Sequence, residues 1–174
     1  MNEQLKVVFA PLIGSLVWNV RRGEGRYLTM EFGKPHLRVS EPLGRTSATT
    51  KRLQRWSRMR KAYAYGDWVL FIQSDWKVTV EDDWLHSNDE IVPHSLKEEC
   101  LLNLSGQRLV SVEAAEDGRH LGLVFDLAGK LEIWPPAGDD DMQWSLHGWD
   151  GHVAALDHDG KLAFEVGEAR REAT

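Results

Sequence analysis

GRYLTMEFGKPHLRV, residues 25–39, is closely matched by GRHLGLVFDLAGKLEI, residues 118–133. Both stretches begin with Gly-Arg and continue with three apolar residues at alternate positions, at a spacing of 93 residues. Gly14 and Gly106 extend the match upstream at a spacing of 92. One-residue slips of this kind are tolerated at turns. The pattern predicts an internal repeat within one domain of 174 residues, with similar halves at about 12–80 and 106–166.

Alternation of apolar and polar residues is typical of half-buried strands, and it runs through most of the chain. Segments 14–21, 26–32 and 36–41 each alternate, and glycines or Pro35 separate them. Each half is therefore predicted to be a three-stranded antiparallel meander with one apolar face. Such a unit is marginal alone, and two of them can bury each other's apolar sides.

One segment, SLKEECLLNL at residues 95–104, changes to a helical period. Leu96, Cys100 and either Leu101 or Leu104 recur at three- to four-residue spacing, which gives an apolar stripe. Ser95 with Glu98 has the spacing of a capping box, and Gly106 follows where a helix would end. The predicted fold class is α+β and mostly antiparallel β, with one central helix over about residues 95–105.

Composition narrows the expected location and partners. The chain has one cysteine, no apolar run of the roughly 18–20 residues that cross a bilayer, and no secretory signal in residues 1–11. We therefore expect a cytoplasmic protein that makes no membrane contact. The net charge of −6 is unevenly placed, because residues 44–66 sum to +7 and residues 138–168 sum to −7.

No catalytic or cofactor motif stands out. His147, His152 and His158 lack a spacing that would bring them to one point, as a metal site requires. Cys100 lies on the predicted apolar helix face, which favours a core thiol over a nucleophile. We expect no catalytic residue, no cofactor and no metal, and a binding protein rather than an enzyme.

The stretch KRLQRWSRMRK, residues 51–61, interleaves cations with Trp56, a pattern that suits phosphate contacts and base stacking. The acidic total argues against a nucleic-acid partner. Cations that guard an edge strand against aggregation are the competing interpretation.

A longer pattern marks residues 14–42 as a unit that also occurs elsewhere. Its residues are Gly14, Trp18, Val20, Gly23, Gly25, Leu28, Thr29, Glu31, Phe32, Gly33, Pro35, Leu37, Glu41 and Pro42. With the later Gly66-x-Trp68, Asp75-Trp76, Phe125-Asp126-Leu127 and Gln143-Trp144, the chain resembles an uncharacterised family of small bacterial proteins. Some members of that family look like immunity proteins of toxin systems, and the resemblance implies a protein partner.

We therefore predict a protein-binding protein, most concretely an immunity protein that neutralises a cognate toxin by occlusion. Acidic groups beside tryptophans would meet a cationic cleft of the toxin. The predicted partner-binding residues are Asp139, Asp140, Asp141, Trp144, Trp149 and Asp150. The alternative is a small-molecule or enzymatic role in a cleft between the two halves, with Glu31, Arg22, His36 and Asp75 as candidate polar groups.

Overall fold

A computed structural model describes residues 2–42, 50, 55, 58–89, 94–115, 118–136 and 142–167, with two helices and thirteen strands among them. The chain is mostly antiparallel β. In order, the elements are α1 (Asn2–Phe9), β1 (Val17–Arg22), β2 (Leu28–Phe32), β3 (His36–Ser40), β4 (Lys61–Tyr65), β5 (Trp68–Ile72), β6 (Asp75–Val80), β7 (Asp83–His86), α2 (His94–Leu104), β8 (Leu109–Ala114), β9 (Leu121–Phe125), β10 (Gly129–Trp134), β11 (Trp144–Gly148), β12 (His152–Leu156) and β13 (Leu162–Val166). A short 3₁₀ turn, Ala10–Leu12, follows α1.

Two large sheets share one hydrophobic core. The first has the strand order β1-β2-β5-β11-β12-β13, and the second has the order β7-β6-β10-β9-β8. Each sheet combines strands from residues before and after α2, because β5 pairs with β11 and β6 pairs with β10. Side chains from both sheets and both helices belong to one buried cluster. Because the two sheets share this core, separating them would expose the apolar side chains of both sheets to water.

The two sheets repeat the same row of side chains across corresponding strands. In the first sheet, Leu28 lies opposite Ile72 and Ile72 opposite Trp144. In the second, Leu121 lies opposite Ile133 and Ile133 opposite Trp76. Trp144 and Trp76 are both fully buried. The strands β1-β2-β5-β11-β12 thus correspond to β8-β9-β10-β6-β7.

The corresponding strands meet at an isolated antiparallel bridge between Leu16 and Arg108, which are 92 residues apart. Reciprocal hydrogen bonds flank it, and we call this group the central bridge. In the first pair of bonds, Gly14 N donates to Leu109 O and Gly106 N donates to Val17 O, both at 2.7 Å. In the second pair, Val17 N donates to Gln107 O at 2.8 Å and Leu109 N donates to Ser15 O at 3.1 Å. Each bond has its counterpart at a shift of 92 residues.

Helix α2 occupies the segment for which the sequence predicts a helix. Helix α1 was not predicted, so the expectation of a single helix is wrong. The two helices begin 92 residues apart. Phe9 in α1 and Leu12 in the 3₁₀ turn after it are buried, as are Leu101 and Leu104, the residues 92 positions later in α2. Helix α1 has only eight residues and ends just before Pro11. A helix this short has too few turns for its sequence to display a clear helical period. Among the described residues, no helix is long and apolar enough to cross a membrane.

The third strand of the first predicted meander is in a different place. Strand β3 does not pair with β2; it pairs with β4, while β2 pairs with β5. One long hairpin therefore runs from the sheet into a separate two-stranded ribbon, β3–β4, which we call the arm. Its register slips by one residue where Gly33, Lys34 and Pro35 face Gly66 and Asp67. Pro35 has no N–H for a ladder, which explains the interruption. Residues 106–136 do form the predicted three-stranded meander, β8-β9-β10.

Gly14 and Gly106 give a test of the equivalence. Their φ angles are +81° and +93°, and an added Cβ at either position would meet nothing within 4 Å. Alanine therefore adds only backbone strain, and we expect Gly14→Ala and Gly106→Ala each to lower the free energy of unfolding by about 1–2 kcal/mol. Asparagine tolerates this conformation better and should cost less. Urea unfolding measures both series, and alanine variants as stable as the parent protein would contradict the assignment.

Candidate functional site

A cavity of about 290 Å³ lies where the arm leaves the first sheet. It is lined by residues from both sides of α2 in the sequence, and we call it the arm-base pocket. The lining residues are Pro11, Ser15, Asp67, Trp68, Trp149 and Asp150.

The register slip at the base of the arm fixes the first carboxylate of the pocket. Lys34 N donates to Asp67 Oδ2 at 2.7 Å across the slip. A Cβ on Gly33 would lie 2.3 Å from the same oxygen, so only glycine allows this approach. Gly66 is equally constrained, because a Cβ there would lie 2.6 Å from Phe32 O. The interruption of the ladder thus holds Asp67 in place.

Asp67 joins the arm to the turn after β11. His36 Nε2 lies 2.7 Å from Asp67 Oδ1, and the His36 ring stacks on the Trp149 indole at 4.4 Å between centroids and 9° between planes. Trp149 N donates to Asp67 O at 2.7 Å. Three segments distant in sequence therefore hold one another in a fixed geometry.

The second carboxylate, Asp150, is held by its own turn. Its Oδ1 accepts from His152 N at 3.1 Å, and its Oδ2 lies 2.8 Å from His152 Nδ1. A Cβ on Gly148 would lie 2.4 Å from Asp150 Oδ1 and 2.9 Å from the Trp68 ring. The glycine thus lets a carboxylate and an indole approach closely.

Both carboxylates stay ionised at neutral pH. Partial burial raises the pKa of Asp67, but hydrogen bonds from His36 and Lys34 N and the positive charges nearby outweigh it, so the pKa lies below its usual value. Burial likewise raises the pKa of Asp150, and hydrogen bonds from His152 bring it below the usual value. The two side chains are 40% and 57% exposed, so an incoming cation can reach them.

The predicted partner-binding residues do not form one surface. Trp149 and Asp150 line the pocket, whereas Trp144 is fully buried, with its ring 5.2 Å from Phe9. Trp144 is corrected to a core residue, because β11 directs it inward to face Ile72 and Leu156. Asp139, Asp140 and Asp141 lie outside the described residues.

The four polar groups of the alternative cleft lie in two places. Glu31 is buried, where it accepts from Asn19 Nδ2 at 2.7 Å and from Gly66 N, close to the base of the arm with His36. At the other end of β2, Arg22 donates to Ser87 O, and Ser87 Oγ donates to Asp75 at 3.1 Å. Glu31 and His36 therefore share a region that Arg22 and Asp75 do not reach.

Sequence analysis missed Asp67, Trp68, Pro11 and Ser15 as parts of this site. The only local signal was the turn at Gly66-Asp67. It marks a change of direction but does not show which distant segment the carboxylate meets. His36 and Trp149 are 31 and 82 residues from Asp67, so the cluster depends on strand pairing.

Cys100, His147 and His158 lie in surroundings that are typical of structural residues rather than of a catalytic site. Cys100 is 4% exposed, and burial, with a smaller contribution from the Asp83 charge, raises the pKa of its thiol to about 11. His147 Nε2 lies 3.0 Å from Ser145 Oγ, and His158 lies 3.3 Å from Asp159. Within the described ranges, no three His, Cys, Asp or Glu side chains converge as a metal site requires.

Comparisons with known proteins add no relative: no family model, no curated protein and no solved structure matches the chain. The resemblance to immunity-type proteins therefore stays a prediction.

A pH-dependent stability test follows from the Asp67 contacts. Its lowered pKa means that these contacts stabilise the fold above about pH 4 and lose their effect as pH falls through the folded-state value. We expect Asp67→Asn to lower the free energy of unfolding at pH 7 by about 0.5–1 kcal/mol, a value reduced because the side chain is partly exposed. The difference from the parent protein should shrink towards pH 3.

Urea unfolding at both pH values measures this difference, with Asp82→Asn at an exposed position as the control. A penalty for Asp67→Asn that is equal at pH 7 and pH 3 would contradict the assigned contacts.

Proposed function

We propose that this chain is a protein-binding protein whose partner inserts a lysine or arginine side chain into the arm-base pocket. The observation that carries the proposal is the composition of the pocket walls. Two carboxylates with lowered pKa values, Asp67 and Asp150, share one cavity with the indoles of Trp68 and Trp149.

Carboxylates and indole rings together favour a cation over other ligands. A guanidinium forms charge-assisted hydrogen bonds to carboxylates, and its flat face stacks on an indole. Such a partly enclosed charged contact beside tryptophan is typical of the few residues that dominate an interface. The His36–Asp67–Trp149 contacts hold the walls before binding, so little ordering accompanies complex formation.

Immunity by occlusion is the most concrete form of this function. A toxin that acts on a polyanion carries a cationic cleft. A protein whose pocket binds one of the cationic side chains of that cleft would block it. The family resemblance carried by residues 14–42, and the cytoplasmic location expected from composition, support this form. Asp139, Asp140 and Asp141 remain candidates for further acidic contacts with the same partner.

We also propose that the two similar units arose by duplication. The reciprocal hydrogen bonds of the central bridge and the matching rows at Trp76 and Trp144 support this origin. On this view the halves at about 12–80 and 106–166 each include a preceding helix, and the arm is an insertion in the first half.

The alternative function, a small-molecule site between the halves, is favoured by one observation. Pro11, Ser15, Asp67 and Trp68 come from the first part of the chain, while Trp149 and Asp150 come from the second. A free guanidine or amine could use the same walls. A partner protein would bind far more tightly than the isolated cation, because it would contact the surrounding surface as well.

Binding of the isolated cation tests the pocket directly. We expect Nα-acetyl-arginine amide to shift the indole N–H signals of Trp68 and Trp149 in a ¹⁵N–¹H NMR titration. Nα-acetyl-citrulline amide has nearly the same shape without the charge and should bind at least tenfold more weakly. The double substitution Asp67→Asn/Asp150→Asn should abolish the preference for arginine.

The control variant is Asp82→Asn/Asp159→Asn, which makes the same change in net charge away from the pocket. Equal binding of the two amides, or equal loss in the control variant, would contradict the pocket. Affinity for a free amine metabolite as tight as for any protein partner would favour the alternative.

A further inference from the structure

We propose that one face of the arm is a second contact for the same partner and binds an acidic segment of it, so that the partner must present a cation and then acids along one line. This inference rests on the proposed function of the arm-base pocket. The arm face consists of His36, Arg38 and Ser40 on β3 and Tyr65, Tyr63 and Lys61 on β4.

The register of the arm brings these six residues to one face. His36 lies opposite Tyr65, Arg38 opposite Tyr63, and Ser40 opposite Lys61, and side chains at alternate positions share a face. The rings of Tyr63 and Tyr65 meet edge to face at 6.3 Å, and the Arg38 guanidinium lies 5.9 Å from the centroid of Tyr65. These contacts order the face in the unbound protein.

The same face runs directly into the pocket. His36 belongs to it, and the His36 ring stacks on Trp149 and contacts Asp67. A partner side chain in the pocket would therefore place the rest of its segment along Tyr65, Arg38 and Tyr63. From His36 to Ser40 the face extends about 13 Å, the length of four residues of extended chain.

The sign of the charge reverses along this line. The base holds Asp67 and Asp150, and Arg38 and Lys61 lie on the arm beyond them. In the sequence, residues 34–66 carry nine Lys and Arg against one acid, a net charge of +8. The other 141 residues carry twelve against 26 acids, a net charge of −14. Because the Debye length in physiological salt is about 8 Å, Lys61, which lies opposite Ser40 and about 13 Å from His36, acts as a charged site separate from the base.

The reversal of charge along the arm face favours a protein segment as the ligand over a nucleic acid or a second copy of the arm. A nucleic acid has one sign throughout, so a strand that followed the arm face would meet the carboxylates at the base. A second copy of the arm would bring two segments of +8 together. A polypeptide can place one cation and several acids in the required order, and exposed Tyr63 adds the aromatic contact typical of protein interfaces.

The test uses the peptide Ac-RTVTEE-NH₂ with two matched relatives, one with citrulline for arginine and one with glutamine for both glutamates. Calorimetry at 150 mM salt compares the parent protein, Arg38→Gln/Lys61→Gln, and the control Lys6→Gln/Lys161→Gln, which changes the net charge equally. We expect the arm variant to bind the glutamate peptide about threefold to tenfold more weakly and the glutamine peptide as the parent protein does. The control should bind all three peptides like the parent.

Several results would overturn the arm contact. The first is an equal effect of Arg38→Gln/Lys61→Gln on binding of the glutamate and glutamine peptides. The second is a loss of binding in the control variant equal to that in the arm variant. The third is equal binding of the glutamate and glutamine peptides by the parent protein, or binding of neither. A 20-base-pair DNA duplex that binds the parent protein more tightly than the peptide at the same salt would assign the arm to nucleic acid instead.

Failure of the pocket gives a different pattern. The citrulline peptide would then bind as well as the arginine peptide, while the arm variant would still distinguish glutamate from glutamine. Near-ultraviolet circular dichroism of each variant checks that the fold is unchanged.

Discussion

The central bridge between residues 14–17 and 106–109 is the constraint on which the rest of the structure depends. It joins the starts of β1 and β8, which begin the corresponding strand series of the two sheets. Each helix ends just before the bridge, so the bridge also positions α1 and α2 against the core. Of the four amides that donate in the bridge, those of Val17 and Leu109 belong to fully buried residues. A buried N–H group that loses its partner costs about 1–3 kcal/mol. Loss of the bridge would free both series at once.

The candidate site lies where the two strand series differ. Strands β9 and β10 are joined by the short turn Asp126-Leu127-Ala128, whereas the corresponding β2 and β5 are separated by residues 33–67, which include the arm. Glu31 occupies the position that Val124 has in the other unit. The buried Glu31 carboxylate accepts from Gly66 N, at the point where the arm returns to the sheet. Both strand series contribute to the core, whereas Asp67 and His36 belong to the segment between β2 and β5 that has no counterpart between β9 and β10.

Local patterns in the sequence were enough for part of this fold and not for the site. The helical period identified α2, and alternation identified β1, β2 and β3, because both patterns depend on neighbouring residues. The spacing of 92 residues also held the signal for α1, since Val8, Phe9 and Leu12 match Cys100, Leu101 and Leu104. Leu37 and Val39 align with Leu131 and Ile133 at a spacing of 94, but β3 lies in the arm whereas β10 lies in a large sheet. Alternation alone makes any two strands look alike. Pairing of β2 with β5, and therefore the pocket, depends on contacts between residues 36 to 44 positions apart, such as Leu28 with Ile72.

Hydrogen exchange at the amides of Gly14, Val17, Gly106 and Leu109 tests the central bridge most directly. The account predicts that these four exchange only when the whole molecule unfolds, with the same protection and denaturant dependence as Leu70 in the middle of β5. Exchange of any of the four through small local openings, at a rate independent of denaturant while Leu70 stays protected, would show that the two series do not depend on this bridge.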